Sequence, residues 1–326
     1  MTFPVRIFFS ITKTVMNPIF TEINRRAPRL PDEPLRLFHG RGQTIPGYEF
    51  LTIDWYPPAI FVTLYEKREQ SWIEQLGKAL QSVFTDRLKG IVVQTRGEGR
   101  DGSRLIYGSL PEPCIIRENG LRYRIDLLAG QNIGFFPDMK TGRQLVREIA
   151  VDRKVLNLFA YTCSLSVAAI AGGAVQVVNL DMNRNLLDRG RENHQLNAQD
   201  LRRVSFMSYN LFKSFGRLRQ IGPFDLIIID PPYRQGDSFK AERDWPKIIR
   251  RLPELLAPNG EVVAAVSAPE LGRDFLRNRF NHCLPEAELL VELSAGEDFP
   301  EADPVKGLHL QHYRLKHACP LSSSND

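Results

Sequence analysis

Apolar positions between residues 139 and 280 fall into short dense runs separated by stretches of helical spacing. The runs at 154–160, 175–181, 204–207, 224–230 and 261–267, with VLNLFA, VQVVNL and DLIIID among them, predict strands covered on both faces. Between them, 142–150, 164–171, 183–196, 239–256 and 270–280 read as helices. This alternation predicts a doubly wound, mostly parallel α/β sheet with its ligand at the carboxyl ends of the strands. Two later runs, 288–293 and 308–315, predict a hairpin pair that closes the sheet.

Residues 48–130 carry a different pattern. Strand-like runs at 48–54 and 59–65 flank Tyr56-Pro57-Pro58, and 67–84 places Trp72, Ile73, Leu76, Leu80 and Phe84 at helical spacing. Runs at 90–95, 113–117 and 121–127 follow, the last two joined by Asn119-Gly120, a strong signal for a two-residue hairpin. The order strand-strand-helix-strand-strand predicts a small α+β domain. Residues 24–47 are rich in Arg, Pro and Gly and read as extended and turn-rich. Three parts are therefore expected: an arm at 1–47, the small domain at 48–130 and the larger domain at 131–326. The apolar start of the chain is interrupted by Arg6, Lys13 and Pro18 with no small-residue cleavage site after it, so no signal peptide is expected. Met16 is a second candidate start, and residues 1–30 are expected to pack poorly or fold over as an arm.

Composition narrows the class. The 326 residues are 43% hydrophobic and 25% charged, which excludes intrinsic disorder, collagen and a disulfide-rich mini-scaffold. No apolar run approaches the roughly 20 residues of a membrane span. Cys114, Cys163, Cys283 and Cys319 form no CxxC pair, so neither a zinc ribbon nor a thioredoxin motif is present. Their spacing points to free thiols in a reducing, cytoplasmic setting, with no metal site.

Charge adds a partner class. The net charge is +5, with 32 Arg against 11 Lys. Arginine suits phosphate oxygens and base stacking, although a GC-rich genome also favours its codons. Residues 201–250 hold 10 basic and 5 acidic side chains, whereas 251–300 hold 4 and 9. The basic stretch (Arg202, Arg203, Lys213, Arg217, Arg219, Arg234, Lys240, Arg243, Lys247, Arg250) brackets residues 230–233 and predicts a polyanion-binding rim; the alternative is a solvated helix face.

Three strand ends carry candidate chemistry. The first is the run Asn157-Leu158-Phe159-Ala160-Tyr161-Thr162-Cys163-Ser164, where a strand passes through small residues into a helix. The second is Asp181, placed to accept hydrogen bonds from both ribose hydroxyls of a nucleoside cofactor, or simply to cap a helix. The third is Asp230-Pro231-Pro232-Tyr233. The prolines stiffen this ledge and remove N–H donors. The carboxylate and a proline carbonyl can accept from an amino group, and the tyrosine face can stack on a base. The alternative is a loop that merely closes the strand.

These residues resemble class I S-adenosylmethionine-dependent methyltransferases, and more narrowly the bacterial large-subunit (23S) ribosomal RNA methyltransferases of cytosine C5 or guanine N7. The likeness runs over about 48–315. It rests on Gly130–Asp138 with Arg143, on Val155–Ser164, on Asp230–Tyr233, and on Phe299-Pro300-Glu301 with Lys306-Gly307-Leu308. It implies a Rossmann-like domain with a seven-stranded sheet and an antiparallel C-terminal strand. It also implies a methyltransferase that binds S-adenosylmethionine and acts on RNA, as a monomer or homodimer. By resemblance, Phe136 and Asp138 border the cofactor. Asn157, Phe159, Ala160, Tyr161, Thr162, Cys163 and Ser164 surround its methionine end. Asp181 holds the ribose, and Met182, Asn210 and Leu211 meet the adenine. Asp230, with Pro231, Pro232 and Tyr233, faces the reacting methyl group. Arg41, Arg202, Arg203, Arg234, Lys240 and Arg243 are the expected RNA contacts, and His39 is an RNA contact or a turn residue.

The chain departs from the family pattern in three places. Cys163 and Ser164 stand where glycine usually follows Tyr-Thr. Asn210 replaces the usual Asp, although its carbonyl oxygen can still accept. The place of the nucleophilic cysteine of cytosine-C5 enzymes reads Ala264-Ala265-Val266-Ser267-Ala268, and 1–47 is too short for their extra RNA-binding domain. A base nitrogen is therefore the expected target. The competing readings are a non-catalytic RNA-binding or ribosome-assembly protein on this fold, and a methyltransferase of proteins or small molecules. A dehydrogenase needs a glycine-rich first loop, and 157–171 holds no glycine.

Overall fold

The structure, a computed structural model, describes residues 17–97, 102–130, 132–268 and 270–316. It divides into two compact units. The first comprises Met1–Pro137 with Glu297–Asp303, and the second Asp138–Gly296 with Pro304–Asp326.

The first unit is a five-stranded sheet with its helices. Helix α1 covers 17–26 and is followed by β1 (Leu35–His39), β2 (Leu51–Tyr56), β3 (Ala59–Leu64), α2 (Gln70–Phe84), β4 (Gly90–Thr95) and β5 (Ser103–Gly108). The sheet order is β1-β2-β3-β4-β5, with only β3 and β4 parallel, as the α2 crossover between them requires. A separate hairpin joins β6 (Cys114–Glu118) to β7 (Leu121–Ile125) around Asn119-Gly120. The apolar face of α2 (Ile73, Leu76, Leu80, Phe84) packs with Ile53, Val62 and Val93 of the sheet.

The expected arm is not what forms over 17–47. Ile19 and Ile23 of α1 are fully buried in this same core, and β1 is a strand of the sheet. The expectation for 1–16 lies outside the described residues. The spacing Ile19–Ile23 is one helical turn, but Pro18 and the flanking Arg/Pro run obscured it. Ile23→Val should therefore lower stability by about 0.5–1.5 kcal/mol in urea denaturation. An unpacked arm would show no change.

Segment 297–303 belongs to the first unit and explains the Phe299-Pro300-Glu301 motif. His39 Nε2 lies 3.0 Å from Glu301 Oε1, and Arg36 donates to His39 Nδ1 at 2.6 Å. Arg36 also pairs with buried Asp54 at 2.5 Å and lies over the Phe299 ring. His39 is thus a strand-end residue that holds this segment. At Gly42, a Cβ would collide with the Pro300 carbonyl, so the segment passes directly over a glycine backbone.

The second unit is the doubly wound domain. Its strands are β8 (Lys154–Leu158), β9 (Gln176–Asp181), β10 (Val204–Ser208), β11 (Phe224–Ile229), β14 (Leu256–Val266), β15 (Ala287–Leu293) and β16 (His309–Leu315). The order is β10-β9-β8-β11-β14-β16-β15; β16 runs antiparallel to both its neighbours. The helices are α3 (Lys140–Ile149), α4 (Ser164–Ala171), α5 (Arg184–Leu196), α6 (Phe215–Ile221), α7 (Ala241–Ile249) and α8 (Phe275–Cys283). Strand β11 shows why these runs are apolar throughout. Ile227 and Ile229 pack on one face of the sheet with Trp245 and Ile248, and Leu226 and Ile228 on the other with Val146 and Ala169. The strand order reverses between β8 and β11, which places the switch point beside the loops after Leu158 and Ile229.

Two helices differ in extent from expectation. Phe239–Lys240 is not the start of a helix but a strand, β13, paired with β12 (Arg234–Gln235) in a small hairpin. Gly236, at φ +50, turns the chain there, and Asp244 accepts from the Lys240 N–H to open α7. That helix stops at Ile249; Pro253 opens a 3-10 turn, and the chain is back in the sheet by Leu256. Helix α8 begins at Phe275, five residues late, because Gly272 takes φ +70. No helix among the described residues is long and apolar enough to cross a membrane.

Candidate active site

The loop after β8 is tightly wound without glycine. Phe159, Tyr161 and Cys163 all take positive φ, at +57, +49 and +61. Such a conformation costs each non-glycine residue about 1–3 kcal/mol, so the surroundings must enforce it. Three contacts do so. Asp181 Oδ2, at the end of β9, accepts from the Tyr161 N–H at 3.0 Å. Buried Asn193 of α5 donates to the Thr162 carbonyl at 2.9 Å. The Cys163 side chain, fully buried, fills the space left by Gly190 of α5. Cys163 thus adopts the conformation that glycine would, and Ser164 begins α4 directly after it.

Behind the loop runs a one-way chain of buried hydrogen bonds. Asn157 Nδ2 donates to Asn179 Oδ1 at 2.9 Å, and Asn179 Nδ2 donates to Ser166 Oγ at 3.0 Å. Ser166 Oγ lies 2.9 Å from His194 Nε2, and His194 Nδ1 lies 2.5 Å from Gln199 Oε1. Burial pushes the His194 imidazole down to about 4, so it stays neutral and can accept at Nε2. At the head of this chain, the Asn157 carbonyl oxygen is buried with no partner among the described residues.

A shallow cleft opens at the strand ends. Its walls are Phe159, Asp181, Met182, Asn210, Leu211 and Phe212 on the sheet side, and Gln235, Ser238 and Phe239 from the β12–β13 hairpin. Asp181 is mostly buried; its second oxygen accepts from the Asn183 N–H at 2.9 Å, which leaves each oxygen a further lone pair. Asn210 Oδ1 accepts from the Phe212 N–H at 2.9 Å, and Asn210 Nδ2 lies 3.7 Å from the sulfur of exposed Met182. Ala160 and Thr162 are buried beside the loop.

Asp230 follows β11. Burial pushes its carboxyl up to about 7, the Asp138 carboxylate adds to the rise, and the buried Arg143 guanidinium offsets part of it. Pro231 is buried and Pro232 exposed. Tyr233 is exposed, and its hydroxyl donates to Glu242 Oε1 at 2.9 Å. Phe136 lies in the first unit, exposed.

The predicted basic rim is brought together only in part. Arg234 and Lys240 sit directly opposite one another in the β12–β13 hairpin, both exposed. Arg243 is ion-paired with buried Asp244 at 2.6 Å. Arg202 and Arg203 precede β10 and so lie at the opposite end of the sheet, roughly 16 Å from its carboxyl edge. Arg202 is paired with Asp200 at 2.8 Å, and Arg203 donates to the Ala174 and Val175 carbonyls. Arg41 belongs to the first unit, with its guanidinium 4.5 Å above the Tyr65 ring. The sequence reading missed Asn193, the Asn179–Ser166–His194 chain, Glu242 and the hairpin wall. Only the hairpin had a usable signal, the Gly236-Asp237 turn.

The described residues hold no group of three or more His, Cys, Asp or Glu side chains able to bind a metal ion. The arrangement offers paired acceptors at Asp181, an aromatic and thioether wall, and a carboxyl poised to change charge near neutrality. Comparison with known proteins agrees with this chemistry. Residues 35–314 match the S-adenosylmethionine-dependent methyltransferase family. The ribosomal RNA large subunit methyltransferase I of Aeromonas salmonicida is 28% identical over 84% of this chain and 73% of its own length. The enzyme of that name from Yersinia pseudotuberculosis is 31% identical over 69% of this chain and 58% of its own. A SAM-dependent methyltransferase structure from Streptococcus mutans shares the fold, with a TM-score of 0.82 and 23% identity over 96% of this chain and 83% of that one. The chain belongs to the S-adenosylmethionine-dependent methyltransferases.

Proposed function

We propose that this protein transfers a methyl group from S-adenosylmethionine to a base nitrogen of RNA, in large-subunit ribosomal RNA. The observation that carries the reading is Asp230 at the end of β11, a carboxyl that burial raises towards neutrality, in the same strand-end region as a cleft walled by Asp181, Met182 and Asn210. The names of the curated relatives support the RNA class.

The cofactor, when bound, supplies a methyl group on a sulfonium as the electrophile. The chain's own residues bind and orient. The spare lone pairs of Asp181 suit two ribose hydroxyls, and Met182 offers its thioether to the adenine face. Asn210 has one carbonyl lone pair left for the adenine amino group, and Leu211 supports that wall from the core. The unpartnered Asn157 oxygen fits an ammonium donor at the methionine end, with Phe159, Ala160, Tyr161, Thr162, Cys163 and Ser164 shaping the loop there. Asp138 acts on Asp230 through its charge and borders the cofactor in this reading. Asp230 and the Pro231 carbonyl accept from an amino group of the target base, and Pro232 stiffens the turn. Tyr233 stacks on the base, its hydroxyl fixed by Glu242. A carboxyl near pKa 7 can also take a proton from an exocyclic amine. The small domain is assigned to holding the RNA.

Carbon methylation lacks a nucleophile among the described residues. Burial and the nearby Asp181 carboxylate push the Cys163 thiol well up, and burial pushes Cys114 up to about 11. Cys283 ends α8 just before β15, at the edge of the sheet away from the strand ends.

Mass-spectrometric mapping of ribosomal RNA from a deletion strain should lose one base methyl mark, which the purified protein restores with labelled S-adenosylmethionine. A complete set of marks and no incorporation into any RNA would overturn the reading. A pH titration adds a local check. As pH falls through 7, Asp230 loses its charge and the sulfonium loses a partner. The dissociation constant for S-adenosylmethionine should then rise, by up to about tenfold per pH unit, while that of S-adenosylhomocysteine, whose sulfur carries no charge, rises less. Calorimetric titrations at pH 6, 7 and 8 that give equal slopes for the two ligands would refute the placement of the methyl group beside Asp230.

A further inference from the structure

The β12–β13 hairpin has two chemically distinct faces. Its register pairs Arg234 with Lys240 and Gln235 with Phe239. Side chains alternate across a strand, so the two pairs face opposite ways. Gln235 and Phe239, with Ser238, form one wall of the cofactor cleft, and the Phe239 ring meets Phe159 of the cofactor loop edge-on at 5.0 Å. Arg234 and Lys240 are exposed, and they follow Tyr233 directly in the chain or through the pairing. Like charges placed opposite each other destabilise a strand pair. Here the charge compensation is slight: the ion pair of Arg234 is a 3.9 Å contact with fully exposed Asp237, its Nε donates to the neutral Gly236 carbonyl at 3.2 Å, and Lys240 has no ion pair among the described residues.

The hairpin is also short. Each strand has two residues, and a lone hairpin of that size is not stable in water. It is tied at its base, where the Ala241 N–H donates to the Tyr233 carbonyl at 3.0 Å and the Lys240 N–H to Asp244 at 2.8 Å. Its turn is closed by Ser238, whose N–H and hydroxyl both donate to the Gln235 carbonyl, and by Arg243, which donates to the Asp237 carbonyl at 3.2 Å. Phe239 is buried in the core, and half-buried Gln235 and Ser238 are left to meet whatever fills the cleft.

We propose that this hairpin is an RNA-phosphate clamp whose outer cations are set in place by cofactor packed against its inner face, so that cofactor and RNA strengthen each other's binding. This rests on the reading of the chain as an RNA methyltransferase. A ligand on the inner face stiffens the ribbon and removes part of the ordering cost that RNA would otherwise bear at Arg234 and Lys240. Coupling of this kind is reciprocal: each ligand raises the affinity of the other by the same factor.

The test uses the full-length protein, S-adenosylhomocysteine and a fluorescein-labelled 20-nucleotide single-stranded RNA of mixed sequence. Anisotropy should show the RNA binding about 5- to 20-fold more tightly with saturating S-adenosylhomocysteine, and calorimetry should show the same factor for S-adenosylhomocysteine with RNA present. In the Arg234→Ala/Lys240→Ala variant, the slope of log K against log salt should fall by about 1.4, with the affinity for S-adenosylhomocysteine alone unchanged. Phe239→Leu, or Gln235→Ala should the first prove unstable, should reduce the coupling factor and leave RNA affinity without ligand as it was. A wild-type coupling factor of one, or an unchanged salt slope in the double variant, overturns the clamp. If RNA methylation persists in that case, the enzymatic reading survives the loss. If the wild type neither binds nor methylates RNA, both fall.

Discussion

Replacing Asp230 by asparagine should slow methyl transfer at least a hundredfold and, at pH 8, make the free protein more stable. The two effects have one cause. The folded-state carboxyl sits at about 7, well above the ordinary carboxylate value, because burial and Asp138 oppose its charge. A group raised in this way contributes fully to stability below its unfolded pKa and loses that contribution as pH rises through 7. At pH 8 the ionised carboxylate is a burden of up to about 4 kcal/mol, and solvent at its rim reduces this to roughly 2–3 kcal/mol. Asparagine has the same shape without the charge. Urea denaturation at pH 8 should therefore favour Asp230→Asn by that amount, while at pH 5, still about one unit above the ordinary carboxylate pKa, the advantage should shrink to about 1 kcal/mol and vanish only below about pH 4. Turnover should fall by 10²–10⁴, the range for a lost acid–base or positioning group. Equal stability differences at both pH values would show that Asp230 is not held near neutrality.

The doubly wound sheet was legible because β11 and its neighbours are apolar on both faces, a pattern that few other settings produce. The site was legible where chemistry lies at the end of such a strand, as with Asp181 and Asp230. What escaped was set by contacts across the sequence. Strand β5 exposes Arg104, Leu105 and Tyr107 and has no alternating pattern to read. Strand β1 is surrounded by prolines and arginines, yet its pairing with β2 decides its state. Asn193 looks like any polar helix residue until the fold brings it to the Thr162 carbonyl.

Charge was the least legible feature, for a geometric reason. Residues before and after a strand of a parallel sheet lie at opposite ends of it, so a run of basic residues along the chain is split between two edges. Arg202 and Arg203 enter β10 from the far side, whereas Arg234 and Lys240 follow β11 on the near side. The +5 balance of residues 201–250 thus overstated the rim at the strand ends, where Arg234 and Lys240 stand next to Tyr233 in the β12–β13 hairpin.

The loop that lacks glycine makes the strongest structural demand on a partner. A Cβ at Gly190 would overlap the Cys163 sulfur and lie 2.9 Å from the Cys163 Cβ. Gly190→Ala should therefore cost about 3 kcal/mol, at the upper end for overpacking, and weaken S-adenosylmethionine binding at least tenfold by displacing residues 159–163. Cys163→Gly should be near neutral alone. It gives up a small buried side chain but places glycine at φ +61, where cysteine is strained. Together the two changes should return stability to within about 1 kcal/mol of the wild type, because the second removes the atoms with which the first collides. The coupling, about 2 kcal/mol, is what denaturation and calorimetric titration of the four proteins would measure. Strict additivity would mean that the loop is held by Asp181 and Asn193 alone. Recovery of both stability and cofactor affinity in the double variant would show that the packing of Cys163 on helix α5 does here what glycine does in related loops.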